Sequence, residues 1–342
     1  MKAGLKGIWL ILTTAAIVGS IFFVANCPGQ GSSKISLINY NGWEKSVMIE
    51  APEAEVEAVI ASAIGGRIMR YELYGDSLLY ENRNAYGLTF DGSGQMFFAG
   101  GYQFDLGPEI RDTPASPVLW LSKWDVKSVK ENSVLLTSQP DHSLGVQLEK
   151  EIVVDFETGE LGLVQRILNI SEKEITASHW DRTYCKGGGF ILIPLSRSSK
   201  FPAGWSLRHK IQDRYIYDGI NPSSPNVKVY GRLLVAKAEG APVKIGADTD
   251  AGWIAYILGS TMFVKYFPRE RGGDYPDSGN NVFAYMDERL VEFGPVSAQK
   301  KLKPSEKYDF PEKWSLIQLK EPVNDFKKAR AAADKVPPSP FK

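Results

Sequence analysis

Cysteine and histidine are scarce in this chain: two Cys and three His among 342 residues. With Cys27 closing an apolar N-terminal run, Cys185 has no partner and no disulfide framework is expected. Nor do two thiols and three imidazoles give any zinc-type spacing, and no other metal site is suggested. An excess of charge of one sign is also missing. Lys+Arg and Asp+Glu both number 40, so no basic surplus points to nucleic acid as a partner. There is no internal repeat of fixed period, which excludes a solenoid or propeller array.

The one long uncharged run is Gly7–Ala25, preceded by Lys2 and Lys6. It has the form of an export signal or an N-terminal membrane anchor. The run ends Val24-Ala25-Asn26-Cys27, which resembles the lipobox of bacterial lipoproteins. Cys27 would be the lipidated residue, with Asn26 standing where a small residue is usual. Either form places the body outside the cytoplasm, in the periplasm or at the cell surface, with the membrane as a partner through the N-terminus. The expected divisions are a signal or anchor over 1–27, a linker over 28–45 that opens PGQGSSK, a β-sandwich over 46–320, and a short helix with a proline-rich tail over 321–342.

What is abundant is turn chemistry and alternation. The chain carries 32 Gly and 15 Tyr. Short alternating runs such as Arg67–Leu73, Val146–Val154, Gln165–Ile170 and Arg289–Phe293 are separated by turns at the spacing of sandwiches and barrels. Gly252–Leu258 and Met262–Phe267 predict a hairpin about Gly259-Ser260, Phe201–Asn226 reads as loop-rich, and Val323–Ala333 is the one helical pattern. The reading is all-β: one large antiparallel β-sandwich.

The stretch Gln165–Leu195 organises the rest. Two alternating runs flank the turn at Asn169–Lys173, and the second ends His179-Trp180-Asp181-Arg182 before the break Gly187-Gly188-Gly189. A titratable group, an aromatic face and two charges at a strand end are what a binding site on a β scaffold requires.

Several pieces in order resemble the galactose mutarotase-like (aldose epimerase-like) supersandwich, and within it a branch of bacterial proteins known as DUF4380. They include Ile64-Gly65-Gly66-Arg67-Ile68, Gly100-Gly101 with Pro108-Glu109, Gln139-Pro140-Asp141, His179-Trp180, Gly252–Tyr256, Tyr275-Pro276-Asp277 and Leu290–Pro295. The resemblance implies carbohydrate as the ligand and no cofactor. It also implies a catalytic pair, Glu292 as base and His179 as acid, because anomer exchange needs both near neutral pH. Glu292 lies between apolar neighbours, so desolvation is expected to raise its pKa. His179 departs from the mutarotase pattern in being followed by Trp-Asp-Arg, and Asp181 and Arg182 can pair with each other. Trp180 is the candidate stacking face, while His142, Asp181, Arg67, Arg83, Glu109, Lys265, Tyr275 and Asp277 are candidate hydroxyl contacts. Three functions follow: an extracytoplasmic carbohydrate-binding protein, an aldose 1-epimerase-like isomerase, or a structural envelope protein. The altered surroundings of His179 favour binding over catalysis.

Overall fold

The computed structural model describes residues 32–92, 95–108, 116–211 and 214–341. The N-terminal run, Cys27 and Glu109 lie outside the described residues. Among those residues, no helix is long and apolar enough to cross a membrane.

Two antiparallel sheets face each other across one core. Among the described residues, the larger has thirteen strands. From one edge its path is Lys34–Tyr40, Trp43–Ala51, Val56–Ala61, Arg67–Leu73, Tyr102–Gly107 and Ile175–Lys186, then Leu290–Pro295, Val282–Met286, Val243–Ala247, Ser206–Ile211 and Arg214–Asp218. Asp76–Ser77 pairs with Arg67–Leu73, and Lys300–Leu302 with Ile175–Lys186. The smaller sheet has ten strands among the described residues, centred on Trp253–Leu258, Thr261–Tyr266, Lys307–Gln318 and Leu161–Asn169.

The alternation read from sequence is physical. Along Leu161–Asn169 every second residue, from Leu161 to Asn169, is buried, as a strand with one face on a core requires. The hairpin Trp253–Leu258/Thr261–Tyr266 forms as expected. The C-terminal helix is Phe326–Ala332, started by the Asp325 carboxylate accepting the Lys328 N–H at 2.8 Å.

Two expectations need correction. Residues 34–45 are not linker: Lys34–Tyr40 is an edge strand paired with Trp43–Ala51. Only Tyr40 of this strand is fully buried, although it carries Ile35, Leu37 and Ile38 as well. Phe201–Asn226 is not simply loop, because Ser206–Ile211 and Arg214–Asp218 form a ribbon on the other edge. There only Ser206 and Leu207 are buried, and the polar remainder of Ser206–Ile211 hides the strand.

Between the sheets lies an aromatic layer. Trp314 meets Tyr102 edge-on at 4.8 Å and Phe263 at 5.1 Å, and Phe263 meets Phe293 at 5.7 Å. Edge-to-face contacts of this kind add about 0.5–1.5 kcal/mol each beyond burial. One turn matters for the site. Gly65 has φ +71°, and a Cβ there would stand 2.2 Å from the Trp120 carbonyl oxygen. Glycine at 65 therefore lets the short helix Pro117–Leu121 close onto the larger sheet, carrying Trp120 to its outer side.

Candidate functional site

The strand Ile175–Lys186 divides its side chains between two surfaces. His179, Asp181, Thr183 and Cys185 point toward the smaller sheet, whereas Trp180, Arg182 and Tyr184 point away from it. Register carries the outer set sideways. Glu292 stands opposite Tyr184 and Tyr285, and Lys244 stands opposite Tyr285, so these four form a row across adjacent strands. On the other flank Gln103 pairs with Arg182 and Asp105 with Trp180.

Arg182 is the hub of this outer face. Its Nε–H and Nη2–H donate to the two carboxylate oxygens of Glu292 at 3.3 and 3.4 Å, and Nη1–H donates to Asp105 at 3.4 Å. The guanidinium lies 4.7 Å from the Trp180 ring, 5.6 Å from Trp120 and 5.8 Å from Tyr184. Each is within cation–π range, and Arg is the side chain suited to stacking and forked pairing together. Trp120 is fixed in turn by its indole N–H donating to Asp105 at 2.7 Å. Lys244 Nζ stands 3.6 Å from Glu292.

These charges reverse the expectation for Glu292. Burial would raise its pKa, but the Arg182 charge, then Lys244, the Arg182 hydrogen bonds and Arg208, outweigh it and hold the carboxyl at about 2. A carboxylate that weakly basic is a poor proton acceptor at neutral pH. Burial lifts Asp105, with Arg182 only partly opposing.

Beside this hub is a cleft of about 300 Å³ walled by Arg67, Gln103, Arg182, Tyr184 and Trp120, with Met96, Phe97 and Phe98 along one side. The Phe98 ring meets Tyr184 edge-on at 4.8 Å. Arg67 is buried; its Nη1–H donates to the Gly100 carbonyl at 2.9 Å and its Nη2–H to Gln103 Oε1. Burial brings the Arg67 guanidinium down to about 10.

Glu292 and His179 do not share a face. Their strands are neighbours, as expected, but His179 is directed into the core. Its ring stacks on Phe104 at 4.9 Å and on Phe310 at 5.3 Å, and meets Tyr308 edge-on. Nε2 lies 3.1 Å from the Tyr308 carbonyl oxygen, an acceptor only, so Nε2 carries the proton and donates it there. Burial lowers its pKa to about 3, against a small opposing effect of that hydrogen bond. The geometry thus removes His179 as the acid partner of Glu292.

A prediction follows from the same burial. The unfolded chain binds a proton at His179 near pH 6.5, while the folded chain stays neutral there down to about 3. Stability therefore falls as pH drops through that window, by up to about 5 kcal/mol at full extent. His179→Phe should flatten this loss in acid denaturation monitored by circular dichroism, leaving Glu292 to act lower, from 4.5 toward 2. An unchanged acid limb would contradict the buried, neutral assignment.

Asp181 and Lys265 also face the core. Lys265 Nζ donates to Asp181 and to Thr183 Oγ1, and lies 3.4 Å from Glu312. Asp181 and Arg182, expected as a possible pair, point to opposite sides of the sheet. Arg83 is exposed in the turn Arg83–Ala85. His142 is exposed beside a separate hollow of about 350 Å³ formed with Ser116, Pro140 and Asp141. Tyr275 lines another, of about 230 Å³, with Glu270 and Tyr308. Asp277 is buried in the turn Asp277–Gly279. Of the expected residues, the outer face gathers Glu292, Trp180 and Arg67.

Sequence reading missed Arg182 as the hub, together with Asp105, Gln103, Tyr184 and Lys244. The available signal was the Trp180-x-Arg182-x-Tyr184 alternation, which puts a cation between two rings on one face of a strand.

The fold is similar to solved structures over most of its length. A galactose mutarotase-like protein from Clostridium acetobutylicum matches with a TM-score of 0.56 at 11% identity, over 84% of this chain and 99% of that one. A galactose mutarotase-like protein from Lactobacillus casei gives 0.54 at 11%, over 80% and 100%. A candidate aldose 1-epimerase from Klebsiella pneumoniae gives 0.54 at 9%, over 89% and 88%. No protein-family model and no curated protein matches the sequence. Identities at this level establish the fold, a galactose mutarotase-like β-sandwich.

Proposed function

We propose that this mutarotase-like sandwich is a carbohydrate-binding protein, held outside the cytoplasm by residues 1–27, and that sugar binds on the outer face of the larger sheet around Arg182. The observation that carries the reading is the joining of ring faces with forked polar groups in one cleft: Trp120 and Tyr184 beside Arg67, Gln103 and Arg182. Sugar rings present C–H faces that pack on aromatics and hydroxyls that need placed donors and acceptors, and few sites offer both.

Binding is favoured over anomer exchange by the acid–base properties of Glu292, the expected base, and of the cleft wall. Glu292 sits at about 2 and Arg67 at about 10, while burial, with Glu292 second, pushes Tyr184 upward. Proton transfer works best with groups poised near the operating pH. The neighbours named for aldose epimerase or mutarotase lend support to sugar as the ligand class.

The test is a titration of aldoses against tryptophan fluorescence, with polarimetry on the same samples. The expected result is a saturable fluorescence change without faster mutarotation. Accelerated mutarotation would replace binding with catalysis, and no response to any sugar would end the carbohydrate reading. Fractionation checks the location: the chain should be found with membranes, and recovery in the cytoplasm would contradict it.

A further inference from the structure

We infer that the sugar taken by this cleft carries a short apolar substituent, alkyl or aryl, that lies along Met96 and Phe98; the inference rests on the carbohydrate reading of the same site. Exposure is the first ground. Beside its polar residues the cleft is walled by three consecutive apolar ones, Met96, Phe97 and Phe98. Phe97 is accounted for by the core, since it packs against the cluster that holds Trp43, Ile64 and Ala99. Met96 and Phe98 are 44% and 39% exposed. Large apolar side chains scattered singly over a surface need no explanation. Two within three residues, both in the wall of one cleft, mark a place that receives apolar ligand surface.

Rigidity is the second, independent ground. The Asn82 side-chain N–H donates to the Phe98 carbonyl at 2.6 Å, and the Asn82 backbone N–H donates to the Ala99 carbonyl at 3.0 Å. The Phe98 ring stacks on Tyr80 at 5.9 Å and meets Tyr184 edge-on at 4.8 Å. The ring is therefore fixed before any ligand arrives, and a preorganised surface costs little ordering on binding.

Chemistry and size name the substituent. The sugar ring itself is met by Trp120 and the Arg182 fork, which offer an aromatic face and donors together. Met96 and Phe98 bring neither charge nor an N–H or O–H, so hydroxyls laid against them exchange water for no partner. A flexible thioether beside a ring suits hydrocarbon. A volume of about 300 Å³ is at the small end of the roughly 300–1,000 Å³ range for ligand clefts, which leaves room for one sugar residue and a short group rather than a chain of sugars.

The experiment is calorimetric titration of the full-length protein with galactose, butanol, and the methyl, butyl, hexyl and phenyl galactosides in both anomers. Affinity should rise from methyl to butyl by about 5- to 50-fold in at least one anomer, since each methylene taken out of water is worth about fourfold. Whichever of hexyl and phenyl gains more identifies the group as alkyl or aryl. Met96→Ser with Phe98→Ser should remove most of the rise; the alkyl series reads the same surface if that variant fails to fold. A rise undiminished in the folded variant would overturn the inference. Galactose binding as tightly as every butyl, hexyl and phenyl galactoside would overturn it too and leave the carbohydrate reading standing. Butanol binding as tightly as butyl galactoside would overturn it by revealing a bare apolar patch. A dimer that Met96→Ser dissociates would overturn it by giving the patch to a second copy of the chain. Failure of galactose and of every galactoside would overturn both readings.

Discussion

Replacing Lys265 by methionine should destabilise the fold by about 3–5 kcal/mol, the usual consequence of removing one partner from a buried ion pair. Lys265 is fully buried among Tyr102, Phe293 and Trp314, with Asp181 and Glu312 as its carboxylate partners. Burial, and Glu312 after it, hold the Asp181 pKa well above its ordinary value despite Lys265. Lys265 is thus what favours the Asp181 carboxylate against burial and Glu312. Without Lys265, burial and Glu312 act on Asp181 unopposed by it. The variant's carboxyl pKa would then lie further above the unfolded value. Its stability should accordingly fall as pH rises, more steeply than in the wild type. Urea denaturation at two pH values measures both effects. Adding Asp181→Asn and Glu312→Gln should recover part of the loss, because neutral amides need no counter-charge. A loss below about 1 kcal/mol would mean the carboxylates are not held as buried charge.

Arg182→Lys should weaken sugar binding by about a hundredfold while leaving the core intact. The substitution keeps the charge but removes the forked grip on Glu292 and the stacking on Trp180 and Trp120. Losing one member of a largely buried, hydrogen-bonded charge set costs about 2–5 kcal/mol in binding, most of it in faster release. Tyr102, Trp314 and Phe263 lie on the other side of the sheet, so near-UV circular dichroism should remain close to wild type. Affinity within about threefold of wild type would remove Arg182 from the centre of the site.

The fold was legible because period-two alternation and glycine-marked turns are local properties. Leu161–Asn169 and the hairpin Trp253–Tyr266 could be read one strand at a time. Edge strands were harder: Ser206–Ile211 buries only Ser206 and Leu207 and carries Arg208, His209 and Lys210, whereas Lys34–Tyr40 does hold Ile35, Leu37, Ile38 and Tyr40 and was passed over beside the linker signal of PGQGSSK. The site was only partly legible for a different reason. Placing Glu292 and His179 in adjacent strands does not decide which way each points, and a shift of one residue moves a side chain across the sheet. Register pairs Glu292 with Tyr184, an even position on its strand, while His179 is odd and turns inward. Lys265 and Asp181 were misread in the same way. Their charge suggested a surface, but they pair with each other inside the core, where Lys265 also lies beside Glu312. The pKa of Glu292 depended on Arg182, Lys244 and Arg208, which come from three different strands, so its apolar neighbours in sequence pointed in the wrong direction.

The claim that sugar binds on the outer face around Arg182, away from His179, is tested most directly by a crystal structure of the protein soaked with galactose. Density for one sugar ring between Trp120 and Arg182 is the result expected. Density beside Tyr275 and Tyr308, or against His142, with the Arg182 face empty, would contradict it.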